Sequence, residues 1–168
     1  AEDSSGNLMA DIEVEPASGL AMKTLLSAEQ LLALQDMQNQ GWLDVASCDD
    51  VSVSCNGPVV SMINIPPGSS KNGTIPSSLG SLTGLQIFSL ADNAVSGTLP
   101  STLGLLTALN IFELNDNAIS GSLPTEIGNL GSIALFWVAG NAGLAGTVPN
   151  TIGLLTTLIG FDFSFTQM

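Results

Sequence analysis

Residues 109–130 read LNIFELNDNAISGSLPTEIGNL, a stretch in which apolar side chains are punctuated by asparagine, glycine and proline. The same order recurs in segments that begin at Leu85 and Ile133, so the well-formed copies are spaced 24 residues apart. An imperfect earlier copy aligns from Val60, and an unfinished one begins at Leu158. A period in this range predicts a solenoid, because a single repeat cannot bury its apolar side without neighbours.

The spacing within one repeat predicts a short strand. Leu109, Phe112 and Leu114 are the apolar positions. Their spacing suits side chains that point inward and stack on the equivalent residues of the coils above and below. We therefore expect parallel strands about 4.8 Å apart, which build one continuous sheet along the solenoid.

An asparagine follows each strand, at the predicted bend. An amide side chain has two donor hydrogens and an acceptor, so it can satisfy backbone groups inside the turn. The predicted structural asparagines are Asn93, Asn117 and Asn141. The glycines farther along each repeat predict positive φ angles on the return path, and a proline follows each of them. These glycines are Gly97, Gly121 and Gly146.

This order resembles the plant-type leucine-rich repeat, LxxLxLxxNxxSGxLPxxLGxL, a form also abundant in microalgal proteins. About four and a half repeats cover residues 59–168. The resemblance implies an α/β solenoid, a right-handed leucine-rich-repeat coil with a parallel β-sheet on its concave face. It also implies a recognition module rather than an enzyme.

Residues 25–58 are similar to the N-terminal cap of that family, with a helix in SAEQLLALQDMQNQ, then Trp42, then a cysteine pair. Ser27 and Gln30 form a capping-box signature, and Gly41 is placed to end the helix. The expected apolar face of this helix comprises Leu31, Leu32, Leu34 and Met37. Unlike many family members, this chain has no Cys-x-Trp between the cysteines.

Cys48 and Cys55 are the only cysteines, and the chain has no histidine. A zinc site would need carboxylate ligands as well, so the pair favours a disulfide. A disulfide predicts an oxidising compartment, either extracellular after secretion or an organelle lumen such as that of the thylakoid. We interpret AEDSSGNLMA as the mature end left after signal removal. No apolar run approaches the ~20 residues that a membrane span needs.

The charge is one-sided, with 15 Asp and Glu residues against Lys23 and Lys71. Nucleic acid is an unfavourable partner, because phosphate binding depends on Lys and Arg. A protein or peptide partner with a basic patch is favoured instead. Residues 1–24 are acidic and aperiodic, which predicts a flexible tail or an extended arm.

The repeat register predicts two columns of side chains on the concave face. The apolar column comprises Met62, Ile87, Ile111 and Leu135. The second column comprises Asn64, Ser89, Glu113, Trp137 and Asp162, and Asp92 and Asp116 flank both. One interpretation is an exposed apolar docking stripe anchored by Trp137. The other is that strand tilt or neighbouring loops cover part of the stripe, and that the aspartates are solvated turn residues.

Catalytic and metal chemistry has little support in the sequence. A serine or cysteine nucleophile lacks a histidine base. Glu113 and Asp162 would lie two coils apart, roughly 10 Å, on a shallow face, which is unfavourable for glycoside hydrolysis. Asp44, Asp49 and Asp50 lack the ordered spacing of a calcium loop. We therefore expect no cofactor and no metal site.

Two surface features remain. Asn72 begins a glycosylation sequon, Asn-Gly-Thr, which matters only in the secretory pathway. A column of hydroxyl residues after the turn glycines raises ice binding as a minor alternative, although such a column is ordinary for the plant-type repeat. The column comprises Thr74, Thr98, Ser122 and Thr147.

Two departures from the repeat pattern matter for the coil. Gly68 stands where the first repeat should have its asparagine, which predicts a bulged turn. No paired-cysteine cap follows the last repeat, so we expect the chain to continue beyond Met168 or another element to cover that edge.

The sequence as a whole predicts a non-catalytic module that binds a protein or peptide through its concave face. The alternative is a small structural subunit, held permanently in a larger extracellular or organelle-lumenal assembly that covers the apolar column.

Overall fold

The structure is a computed structural model that describes residues 26–43, 52–164 and 166–167. The expectations for the tail at 1–24, for Cys48 and for the aspartates of the calcium alternative fall outside these ranges. The pairing of Cys55 with Cys48 therefore stays a prediction.

Helix α1 spans Ala28–Asn39. The strands are β1 (Val53–Cys55), β2 (Val60–Asn64), β3 (Asn72–Thr74), β4 (Ile87–Ser89), β5 (Ala94–Thr98), β6 (Ile111–Glu113), β7 (Ala118–Gly121), β8 (Leu135–Trp137), β9 (Gly143–Leu144) and β10 (Gly160–Asp162).

The strands form two sheets on different sides of the coil. The main sheet has six strands in the order β1-β2-β4-β6-β8-β10, and the second sheet has four in the order β3-β5-β7-β9. All pairs are parallel except β1 with β2, because β1 belongs to the cap and enters from the opposite direction. Each of the first four coils therefore contributes one strand to each sheet, and the last described coil contributes β10 to the main sheet.

A third side of the coil is formed by short 3₁₀ helices: Ser77–Ser81, Ser101–Leu105, Thr125–Asn129 and Asn150–Leu154. A proline precedes each of them with φ between −73° and −61°, the range that its ring imposes. Successive 3₁₀ helices approach closely at a glycine, because glycine has no side chain to separate them. A Cβ at Gly104 would lie 2.5 Å from the carbonyl oxygen of Glu126.

The predicted inward positions form the core. Leu109, Phe112 and Leu114 are fully buried. The phenylalanines stack from coil to coil, with ring centroids 5.7 Å apart between Phe88 and Phe112 and 4.9 Å apart between Phe112 and Phe136. Aromatic contacts of this kind add stabilisation beyond the area they bury, so the stack helps to hold the coils in register.

The asparagine side chains join each coil to the next. The Asn141 side chain is fully buried. Its oxygen accepts the Ile119 N–H at 2.9 Å, and its amide donates to the carbonyls of Leu114 and Val138 at 2.9 Å each. Asn117 makes the equivalent bonds one coil earlier, accepting the Val95 N–H at 2.9 Å. One amide thus satisfies backbone groups of its own coil and of the coil before it.

The first coil departs from this scheme by one residue. Gly68 has φ +71°, and the equivalent left-handed positions are Asp92 and Asp116, with φ +53° and +55°. The assignment of Gly68 to the asparagine position is therefore wrong when judged by backbone conformation. Ser69 follows Gly68 and so occupies the position that asparagine has in later coils. Its hydroxyl donates to the Pro66 carbonyl at 2.6 Å.

The cap helix packs over the first coil. Ser27 and Gln30 form both hydrogen bonds of the capping box, and Gly41 has φ +72° just after the helix. Leu34 and Met37 are fully buried, as expected, but Leu32 is 58% exposed and lies off the apolar face. Trp42 is buried, and its indole N–H donates to the Asn72 carbonyl, which ties the cap to β3.

Replacing Asn141 with alanine tests the asparagine bonds. We expect Asn141→Ala to lower the free energy of unfolding by about 1–3 kcal/mol, because buried backbone groups of neighbouring coils lose their partners. Denaturant unfolding would measure the change. Asn129→Ala is the matched control, since Asn129 is exposed; an equal loss in both variants would contradict the role given to Asn141.

Candidate functional site

We call the outward-facing side chains of β2, β4, β6, β8 and β10 the main-sheet surface. Strand pairing places the two predicted columns in register. Met62, Ile87, Ile111 and Leu135 are successive partners, and so are Asn64, Ser89, Glu113, Trp137 and Asp162. In β10 the apolar column ends at Gly160, which pairs with Leu135.

The apolar column is partly covered. All four of its side chains are half-buried, in contrast to Leu154 on the 3₁₀ side, which is 65% exposed. Strands about 4.8 Å apart bring neighbouring side chains into contact, so each shields the flanks of the next. The column is thus a half-buried apolar strip and not the fully exposed stripe of the first interpretation.

Gly160 shapes the end of this strip. A Cβ at this position would lie 2.8 Å from Leu135 Cδ2 and 3.2 Å from Trp137 Nε1. The Leu135 and Trp137 side chains therefore lean over the backbone of β10, which only glycine allows without displacement. Sequence analysis missed this role; the signal was a glycine where earlier copies carry an aliphatic residue.

Two carboxylates flank Trp137. Glu113 precedes it on β6, and Glu113 Oε2 accepts the hydroxyl of buried Ser89 at 2.8 Å. Asp162 follows it on β10, and its Oδ1 accepts the Ser164 N–H at 2.9 Å. The backbone N–H and then the hydroxyl of Ser164 lower the pKa of Asp162. An ionised carboxylate thus stands on the strand next to that of Trp137.

The two flanking aspartates lie in the turns beyond the main sheet. Asp92 and Asp116 are exposed and adopt left-handed φ angles, which aspartate tolerates better than most residues. The carboxylate of Asp116 lies against Gly140 of the next coil, where an added Cβ would come within 2.2 Å of Oδ1. Asp116 therefore fills turn space as well as adding negative charge.

Thr74 and Thr98 of the predicted hydroxyl column end β3 and β5, whereas Ser122 and Thr147 follow the ends of β7 and β9, and all four are exposed. Thr74 pairs with Ser96 and Thr98 with Ser120, so these hydroxyls are offset by two residues from strand to strand and do not stack as in the column predicted from the sequence. Thr74 Cγ2 would lie 2.9 Å from a Cβ at Gly97, and Thr98 Cγ2 3.0 Å from one at Gly121. Each threonine methyl thus rests on a glycine of the following coil, which restricts its rotamer. Asn72 is exposed at the start of β3, so its side chain is accessible to modification.

Known proteins with similar structures are plant ectodomains. The BIR2 ectodomain from Arabidopsis thaliana has a TM-score of 0.71 and 24% sequence identity, over 84% of this chain and 81% of that one. A chain of the Arabidopsis BIR3–SERK2 complex gives a TM-score of 0.69 and 22% identity, over 82% and 80%. This chain folds as a leucine-rich-repeat solenoid.

A plant ice-binding protein is also similar, with a TM-score of 0.71 and 20% identity, over 84% of this chain but only 49% of that one. These identities establish the leucine-rich-repeat fold alone. No family model and no curated protein sequence matches the chain.

The leucine-rich-repeat architecture assigns the main sheet to the concave side of the coil. Glu113 and Asp162 lie on β6 and β10, with β8 and Trp137 between them.

Within the described residues, no group of three or more His, Cys, Asp or Glu side chains is arranged to hold a metal ion. No helix in the described part of the chain has the length and apolar character to cross a membrane.

The ionisation of Asp162 can be measured directly. We expect an Asp162 pKa below the ordinary value of about 3.9, and a partial return toward that value in Ser164→Ala, which keeps the backbone donor. The lowered pKa makes charged Asp162 stabilising at neutral pH, and this contribution is lost as the pH falls through the folded-state pKa. Carboxyl ¹³C NMR titration gives the value; a pKa above 3.9 would contradict the Ser164 interactions.

Proposed function

We propose that this protein is a non-catalytic module that binds a protein or an extended peptide through its concave main-sheet surface. The observation that carries the proposal is the half-buried apolar strip of Ile87, Ile111 and Leu135 beside Trp137. The buried cores of protein interfaces are more apolar than the remaining surface, and tryptophan is among the residues most often found at binding hot spots.

The residues of the main-sheet surface are better suited to binding a ligand than to catalysing a reaction. Glu113 and Asp162 are the carboxylates of the main-sheet surface, and an indole separates them. The chain contains no histidine, tyrosine or arginine that could serve as a base or bind an oxyanion. The proposed role of these carboxylates is therefore recognition of the partner.

The comparisons support the same class of function. The BIR3–SERK2 structure is itself a complex of two proteins, and the similar solved chains include the ectodomain of the receptor kinase SOBIR1. By analogy with these ectodomains we place the protein in an extracellular or other oxidising compartment. A permanently bound partner would use the same strip, so a structural subunit differs from a transient receptor in the lifetime of its complex and not in its surface.

A peptide selection tests the proposal without knowledge of the natural partner. A random peptide display library is selected on the immobilised protein, and the enriched peptides are titrated against variants. We expect Ile111→Asp and Trp137→Ala to weaken binding at least about tenfold, because each removes an anchor from the strip. Leu105→Ala is the control, since Leu105 is 56% exposed on the 3₁₀ side.

Two results would contradict the concave-face proposal. One is a selection that enriches no peptide. The other is a set of peptides that bind both concave variants as tightly as the wild type. Thermal unfolding of each variant checks that the coil remains folded.

Ice binding is a second candidate, favoured by one observation on the second sheet. The exposed hydroxyls of Thr74, Thr98, Ser122 and Thr147 have no hydrogen-bond partner in the described part of the chain, whereas the neighbouring Ser96 and Ser120 donate to Gly73 and Gly97 carbonyls at 3.2 Å. Strand pairing opposes Thr74 to Ser96 and Thr98 to Ser120, so the free hydroxyls form a diagonal row across the strands and not a column of direct partners. The methyls of Thr74 and Thr98 lie against Gly97 and Gly121. The structural similarity to a plant ice-binding protein adds to this candidate.

Ice recrystallisation assays separate this candidate from the first. If these hydroxyls bind ice, the wild type slows recrystallisation, and Thr98→Lys abolishes the effect by interrupting the row of hydroxyls. Thr107→Lys, at an exposed position outside the second sheet, should leave the effect intact. An inactive wild type would exclude the candidate.

A further inference from the structure

Trp137 occupies a distinctive position on the main-sheet surface, between two carboxylates. Glu113 is its direct partner on β6, and Asp162 is its direct partner on β10. Because adjacent strands lie about 4.8 Å apart, both acidic side chains originate one strand spacing from the indole. The three residues form a row along the coil axis.

The indole is held in place by the coil itself. Trp137 Nε1 and Cε2 lie 3.2 and 3.9 Å from the position of a Cβ at Gly160, so one edge of the ring rests over β10. Trp137 is nevertheless only half-buried, and part of the ring stays accessible. A ring fixed along one edge and accessible elsewhere loses little conformational entropy when a ligand stacks on it.

The carboxylates have no cationic partner inside the described part of the chain. Lys71 is the lysine of that part, and its Nζ donates to the Gly41 carbonyl at 2.6 Å, next to the cap. Glu113 is positioned by Ser89 and Asp162 by Ser164, both of which are neutral. The main-sheet surface is therefore anionic and uncompensated, and a cationic ligand group would relieve the repulsion.

We propose that Glu113, Trp137 and Asp162 form a subsite for an arginine side chain of the bound segment. A guanidinium stacks on an indole face through cation–π attraction and donates to carboxylates at its edges. A lysine ammonium would gain the charge contacts but less of the stacking. The inference rests on the proposed concave-face function and specifies the ligand: a basic, extended peptide segment with an arginine at Trp137.

The apolar strip fixes what lies beside that arginine. Leu135 shares β8 with Trp137 and leans over the same glycine, so the strip runs next to the subsite. A ligand that places arginine on Trp137 brings its neighbouring side chains over Leu135 and Ile111. The proposed segment therefore carries apolar residues close to the arginine.

A pair of model peptides tests the subsite. The probes are the amides of Gly-Arg-Gly-Arg-Gly-Arg and of the same sequence with citrulline, which has the shape of arginine without its charge. Affinities are measured at low salt by NMR titration of the labelled protein. We expect the arginine peptide to bind about five- to tenfold more tightly, the sum of stacking and exposed ion-pair effects.

The variants separate charge, stacking and general acidity. The double variant Glu113→Gln with Asp162→Asn keeps the hydrogen-bond acceptors and should abolish the arginine preference. Trp137→Leu should reduce it, and Trp137→Phe should restore part of it. Glu126→Gln removes one negative charge from an exposed 3₁₀ position and should leave the preference unchanged.

The outcomes distinguish this inference from the proposed function. Equal affinity for the two peptides, no binding of either, or a preference that survives the double variant would overturn the arginine subsite. If library-selected peptides still depend on Ile111 while lacking this preference, the concave-face function stands and only the subsite is wrong. If selected peptides are insensitive to Ile111→Asp and Trp137→Ala, the proposed function itself fails.

Discussion

The hydrogen bonds of the asparagine side chains are the constraint on which the rest of the molecule depends. Asn141 connects the backbone of its own coil with a carbonyl and an N–H of the preceding coil, and Asn117 repeats the arrangement one coil before. A buried amide that bonds to two coils leaves little freedom in how one coil sits on the next. The Phe88–Phe112–Phe136 stack inside the coil reinforces the same register.

This register converts sequence periodicity into surface columns. Outward positions of successive strands become neighbours about 4.8 Å apart, so the chemistry of a column is set by which residue occupies one position in each repeat. The column of Ser89, Glu113, Trp137 and Asp162 changes at every coil, which suits recognition of an irregular ligand. The hydroxyl residues Thr74, Thr98, Ser122 and Thr147 are nearly uniform in chemistry, which suits a regular ligand.

Much of the fold could be predicted from the sequence because the buried positions recur in the same order in each well-formed repeat. Leu109, Phe112 and Leu114 mark the strand, Asn117 the turn and Gly121 the left-handed return, whose φ is +81°. The second sheet and the 3₁₀ helices were not predicted, since the strands of that sheet are two to five residues long and each contains a glycine, which weakens the pattern that indicates a strand.

The two columns of the candidate site were predicted in their strand register but not in the shape of the surface that they form. Counting residues places Glu113 beside Trp137, but it does not reveal that the apolar strip is half-buried or that Trp137 lies over Gly160. The position of Gly68 shows the same limit, because an alignment by residue count from the strand misses a one-residue change within the loop. Side-chain direction and loop length depend on packing between coils, which one repeat alone does not encode.

Methyl NMR with a bound peptide shows which side of the coil contacts the ligand, because isoleucine, leucine and threonine methyls report on each side. On addition of a peptide selected for binding, the account predicts that the methyl signals of Ile87, Ile111 and Leu135 shift. Those of Leu105 and Leu154 on the 3₁₀ side and of Thr98 on the second sheet should stay in place. Shifts confined to the latter group would contradict the assignment of the concave main-sheet surface as the binding site.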